Sequence, residues 1–182
     1  MNIILIGFAS SGKSSTAQAL ADATGWPHLD LDRVIEERFE QKNSTKITCR
    51  ELVREQGIDT FTALETEALQ SLSSRDSIIL STGGRTPLTP DNRPILEKMG
   101  KIVYLKTDID TILIRMKAKG FPSTIKGGEL EIEQEWRRRD PVYAELADLV
   151  IRNDVLSPKQ TAAAILQKLS LEHLLTSDTK EP

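Results

Sequence analysis

The opening segment limits the fold more than any other part of the chain. Asn2-Ile3-Ile4-Leu5-Ile6 has no alternating polar positions and runs straight into Gly7-Phe8-Ala9-Ser10-Ser11-Gly12-Lys13-Ser14. Such an unbroken apolar run reads as a strand buried on both faces. A strand of that kind needs helices on each side of its sheet, supplied by crossover connections. Ser77–Ser81, Lys101–Leu105 and Asp148–Ile151 have the same β-branched character, and a fifth short strand is expected around Pro27–Leu29. Amphipathic patterns at Ser14–Thr24, Ile58–Leu72, Asp108–Lys119 and Pro158–Leu169 predict the helices. The expected fold is therefore α/β, three layers (α/β/α) around a central, mostly parallel five-stranded sheet. A chain of 182 residues suits one compact domain, here residues 1–170, with a polar tail over 171–182.

Two regions break the alternation. Thr48-Cys49-Arg50-Glu51 has the form of a capping box and predicts a short helix ending before Gly57. Lys119–Glu133 contains Gly120, Pro122, Gly127 and Gly128 and shows no clear core face. It reads either as a surface loop or as a mobile lid.

Gly7 to Ser14 fits the pattern G-x-x-x-x-G-K-[ST], with a buried strand before it and a helix after it. Glycines allow the backbone to wrap a phosphate closely, and the amides of Gly7, Ser10–Gly12 and Ser14–Ser15 then face the anion at a helix N-terminus. Lys13 is expected to reach the β- and γ-phosphates, and Ser14 to offer its hydroxyl to Mg²⁺. A bound nucleoside triphosphate, ATP with Mg²⁺, is the expectation.

His28-Leu29-Asp30-Leu31-Asp32 closes the second strand. Strand periodicity puts both aspartates on one side, at the carboxyl edge where such sheets bind ligands. Asp30 is a candidate for the metal shell. Asp32 is the candidate to orient an acceptor hydroxyl and take its proton; the competing reading makes both residues helix caps. Thr82-Gly83-Gly84-Arg85 closes the third strand, and its paired glycines suit either close approach to a ligand or an ordinary turn.

Charge and composition remove other classes. Lys and Arg number 24 against 27 Asp and Glu, a net charge of −3, which argues against a generally basic nucleic-acid surface. Ile3–Ile6 is too short to cross a bilayer, and no signal peptide is recognisable. One cysteine, Cys49, forms no internal disulfide, and His28 and His173 lack metal-spaced partners. A cytoplasmic monomer is expected. Arg137-Arg138-Arg139 is offset by Glu129, Glu131, Glu133 and Glu135, so the run reads as a solvated or lid-associated face apart from Arg139.

The phosphate loop, the Asp-x-Asp, the Thr-Gly-Gly and the segment Arg139-Asp140-Pro141-Val142-Tyr143-Ala144-Glu145-Leu146-Ala147-Asp148 together resemble the shikimate kinase family, over roughly Met1 to Leu169. The resemblance implies a P-loop kinase domain with a substrate-binding helical region, about 32–74 here, and a lid, about 119–133. It implies ATP-dependent phosphorylation of the 3-hydroxyl of shikimate. Lys13 and Ser14 take the nucleotide and metal roles and Asp32 the hydroxyl role. Gly83 and Gly84 line the pocket, Arg139 grips the substrate carboxylate, and Arg115 lies near an adenine-contacting position.

Three positions depart from that family's pattern. Thr62 stands where an arginine usually binds the carboxylate, Arg85 replaces a third glycine, and Phe121 begins a lid that lacks its usual arginine. One bidentate arginine–carboxylate contact is worth about 1.5–3 kcal/mol, or roughly ten- to a hundredfold in binding. Arg85 is therefore a candidate to replace the cation missing at Thr62, with Arg137, Arg138 or Lys126 as sources of lid charge. Two other outcomes follow from the same departures. One is a kinase for another small hydroxylated acceptor, such as a sugar acid or nucleoside monophosphate; the other is a nucleotide-binding module without transfer activity. Retention of Lys13, Asp32 and Arg139 favours a working kinase.

Overall fold

The computed structural model describes residues 1–119 and 128–177, with side chains described for 1–118 and 128–170. Five strands form one sheet: β1 (Asn2–Ile6), β2 (His28–Asp30), β3 (Ile79–Ser81), β4 (Gly100–Lys106) and β5 (Leu149–Arg152). Their order is β2-β3-β1-β4-β5, and all four pairings are parallel. The chain runs from β1 to one side and later crosses to the other. The loop after β1 therefore sits at the reversal point, where open α/β sheets receive ligands.

Strand β1 shows why the sheet needs two covering layers. Ile4 and Ile6 enter one core with Leu80, Ile102 and Tyr104, while Ile3 and Leu5 enter another with Ile79, Val103 and Leu105. Successive side chains point to opposite faces, so an all-apolar strand has to be buried twice. The layers are unequal. Helices α1 (Lys13–Thr24) and α7 (Pro158–Ser177) cover the second core with Leu20, Ile165 and Leu169. The first is covered by α2 (Leu31–Asn43), α3 (Cys49–Leu72), α4 (Arg93–Met99), α5 (Ile109–Lys119) and α6 (Gly128–Leu146).

Thr48 caps α3 with the expected reciprocal box to Glu51. The predicted stop before Gly57 is a kink instead. Gly57 takes φ 84° and ψ 167° and the helix resumes at once, because glycine accepts the left-handed region without a Cβ clash. The expectation for Lys119–Glu133 needs correction. Residues 128–133 form the first turns of α6, and Ile132 is fully buried there, so this part has a core face. Phe121 and Lys126 lie outside the described residues. Helix α7 also runs to Ser177, past the predicted end at Leu169. Among the described residues no helix is long and apolar enough to cross a membrane.

Candidate active site

The loop between β1 and α1 is a backbone cradle. Ser10 has φ 63° and Gly12, which precedes α1, has φ 99°. At Gly12 the left-handed conformation favours glycine, and a Cβ there would also lie 2.7 Å from Asn153 Nδ2. That amide donates to the Ser11 carbonyl at 2.6 Å, and Asn153 Oδ1 accepts from Thr161 at 2.6 Å. Arg115 adds a second brace. Its Nη2 donates to the carbonyls of Asn153 (2.8 Å) and Asp154 (3.0 Å), and its Nη1 to those of Ser10 and Ser11 (3.4 and 3.5 Å). Ser15 spends its hydroxyl on the Gly12 carbonyl at 3.0 Å. The Ser11 hydroxyl, by contrast, is buried with no hydrogen-bond partner among the described residues.

Lys13 curls over this loop and donates to the carbonyls of Gly7 and Phe8, both at 2.9 Å. Burial pulls its ammonium down to about 8, against the attraction of Asp32 and Asp30, with Arg139 adding a smaller push in the same direction as burial. Lys13 is therefore within electrostatic reach of the other three, although they lie as far along the chain as residue 139.

Asp30 caps α2, as one reading of the Asp-x-Asp expects, and leaves its second oxygen beside Ser14. Its Oδ1 accepts the Asp32 amide at 3.1 Å and so caps α2, while Oδ2 accepts from Ser14 (3.3 Å) and Ser81 (3.0 Å). Because Ser81 gives its proton to Asp30, it accepts from His28 Nε2, 3.0 Å away. A serine hydroxyl beside a carboxylate is the hard-oxygen donor set that suits Mg²⁺. Among the described residues no cluster of three or more His, Cys, Asp or Glu side chains could hold a metal. An ion held by one or two protein oxygens and completed by phosphates and water needs no such cluster.

Asp32 sits in the first turn of α2. Burial and the neighbouring Asp30 raise its pKa above the ordinary carboxylate value, and Lys13 pulls the other way. A Cβ at Gly83 would lie 3.2 Å from Asp32 Oδ1 and 3.4 Å from Glu65 Oε1. Glycine here lets the turn after β3 pass directly beside the two carboxyls. At Gly84 the nearest neighbours are instead the Ala9 amide and Arg139 Nη1. The Gly83-Gly84 turn thus joins the Asp32 side to the Arg139 side.

Beyond Gly84 lies a cavity of about 440 Å³ lined by Phe8, Phe61, Met116, Arg85, Glu135 and Arg139, among others. Arg85, although exposed, faces this cavity with Arg139. Arg139 is 12% exposed in its side chain and lies over Phe8, 5.2 Å from the ring centroid. Tyr143 fixes the turn by donating to the Gly84 carbonyl at 2.5 Å. Thr62 is elsewhere: it faces an outer groove with Asp59 and Thr66, and its hydroxyl donates to the Ile58 carbonyl at 2.9 Å. Arg137 pairs with Glu133 on the exposed face of α6.

Sequence reasoning did not single out Glu65 or Asn153 as part of the site. Glu65 is 2% exposed and accepts from Thr86 (2.6 Å) and Asn92 (3.1 Å). Burial pushes its carboxyl up to about 7, while the Thr86 and Asn92 bonds and Arg85 act against that rise. One signal was available, since Glu65 lies on the apolar stripe of Phe61, Ala68, Leu69 and Leu72, where a lone carboxylate needs partners. Cys49 donates its Sγ–H to the Asp32 carbonyl at 3.3 Å, and burial raises the thiol's pKa. The neighbouring Asp32 and Glu36 carboxylates act in the same direction, so the thiol stays protonated and serves packing.

The comparisons with known proteins agree with this geometry. The family model described as shikimate kinase matches residues 9–170. A shikimate kinase of Coxiella burnetii is 36% identical over 169 residues, covering 91% of this chain and 91% of the relative. One from a Sulfurihydrogenibium species is 30% identical over 168 residues, covering 92% and 97%. Among solved structures, shikimate kinase from Acinetobacter baumannii in complex with shikimate superposes with a TM-score of 0.81 at 30% identity. It covers 99% of this chain and 95% of that one.

Proposed function

Because the chain belongs to the shikimate kinase family, we propose that it transfers the γ-phosphoryl group of ATP to the 3-hydroxyl of shikimate. The observation that carries this reading is the Gly83-Gly84 turn, which has Asp32 beside Gly83 and both the Ala9 amide and Arg139 beside Gly84, with Lys13 within electrostatic reach of Asp32, Asp30 and Arg139. A phosphate donor and an acid acceptor each find the charge they need within one crevice.

The loop amides from Gly7 to Ser15 cradle the phosphates, with Lys13 exchanging its two carbonyl partners for phosphate oxygens. Ser14 and Asp30 would hold Mg²⁺, which when bound neutralises charge on the β- and γ-phosphates. Asp32 orients the acceptor hydroxyl and takes its proton. Burial and Asp30 make it a better base than an ordinary carboxylate, while Lys13 opposes that rise. Arg139 and Arg85 supply the two cations for the acceptor's carboxylate, so Arg85 takes over from the arginine absent at Thr62. Arg115 steadies the nucleotide loop through its carbonyls. The working unit in this reading is a monomer. A single partly buried thiol suits the cytoplasm.

A coupled assay of ADP release tests this reading with shikimate, gluconate and nucleoside monophosphates, each at millimolar concentration. Turnover with shikimate is expected. Silence with shikimate beside turnover of another acceptor would replace the substrate. ATP binding by calorimetry without release for any acceptor would leave a binding module.

A further inference from the structure

Resting on the acceptor reading above, we propose that Glu135 is a specificity-determining residue: an internal carboxylate that occupies Arg139 until the carboxylate of an acid acceptor replaces it. Glu135 and Arg139 stand one turn apart on α6, and both face the cavity beside Gly84. Glu135 Oε2 accepts from Arg139 Nε at 2.9 Å and also from its Nη2. The guanidinium fork, whose geometry matches a carboxylate, therefore already carries one. Phe8 beneath the guanidinium and the low exposure of Arg139 leave it little room to turn toward a second partner. On the Nε–Nη2 edge an incoming carboxylate meets donors that are in use.

Arg138 makes the exchange feasible. It binds the same glutamate from the solvent side, Nε to Oε1 at 3.1 Å and Nη2 to Oε2 at 2.9 Å. When Glu135 releases Arg139 it stays paired with Arg138, and the acceptor's carboxylate pairs with Arg139. No charge is stranded at the end of the exchange. An uncharged polyol offers no replacement anion, so Glu135 keeps Arg139 closed against it. Both arginines also draw the Glu135 carboxyl down to about 2, so it remains an anion across the working pH range.

The opposite role, in which Glu135 merely orients Arg139 for the acceptor, predicts the opposite sign. In steady-state kinetics Glu135→Gln should lower the KM for shikimate about three- to tenfold, the size of a partly exposed ion pair. The KM for ATP should stay within about twofold. The methyl ester of shikimate, which lacks the anion, should gain nothing. A risen or unchanged KM for shikimate overturns the proposal, as does an equal gain by the ester. Arg138→Ala gives a second reading at an exposed site. It should raise the shikimate KM in the wild-type background, where Glu135 then has only Arg139, and have no effect in the Glu135→Gln background. An equal effect in both backgrounds overturns the handover. Absence of shikimate turnover in the wild type would instead remove the acceptor reading itself, so the two failures are distinct.

Discussion

The phosphate side of the crevice comes from one contiguous stretch, Gly7 to Ser15, whereas the acceptor side is assembled from α2, α3, the turn after β3, and α6. The first binds through main-chain amides whose directions are set by a strand, two glycines and a helix N-terminus. The second binds through side chains, each delivered by a different element. A backbone site tolerates little change in sequence. In the proposed reading a side-chain site can lose the cation expected at Thr62 and present another at Arg85, because what the acceptor needs is a charge in the cavity and not a particular position in the chain.

Breaking one member on each side should expose this difference most strongly. Lys13→Ala and Asp32→Asn should each reduce turnover by about 10²–10⁴-fold, measured as acceptor-dependent ADP release. They should separate in calorimetry: Lys13→Ala loses ATP affinity, while Asp32→Asn retains it within about twofold. Equal loss of nucleotide affinity in both would move Asp32 into the metal shell and blur the division. Arg85→Ala comes next in size. Loss of a charge-assisted contact should raise the shikimate KM roughly ten- to a hundredfold, with the ATP KM left nearly unchanged. An unaltered shikimate KM would show that Arg85 does not compensate for Thr62.

The smallest effect concerns stability. The Glu65 carboxyl ordinarily titrates at 4.5 and in the folded chain at about 7, so the folded state holds an extra proton between those values. Its contribution to stability is therefore full below pH 4.5 and is lost as pH rises through 7. The shift corresponds to on the order of 3 kcal/mol. Glu65→Gln should remove that decline, so its melting temperature should gain a few degrees on the wild type between pH 5 and 8. Parallel melting curves across that range would place the buried proton elsewhere.

The same division governs how much could be read from the sequence. The five strands, the α/β class and the phosphate loop were legible because their signals are local: unalternating runs, a glycine spacing, a capping box at Thr48. Asp30 and Asp32 were legible by spacing; Asp30 Oδ1 caps α2, as one reading expects, while Oδ2 faces Ser14. The cavity orientation of Arg85 was not legible, because it depends on where a turn after β3 meets α6. The first turns of α6 were also hidden: Ile132 counts as a core residue only once a sheet face is present to cover it. Asn153 gave no local signal at all, being one polar residue after a strand, and its importance comes from the loop packed against it.

That last contact gives the carboxy-terminal end of the domain an unexpected task. Asn153 reaches a loop residue 142 positions earlier in the chain and is itself gripped by Thr161 in the closing helix. The final strand and helix thus act as a clasp on the nucleotide cradle, and shortening or loosening them would slacken a pocket that lies near the opposite terminus.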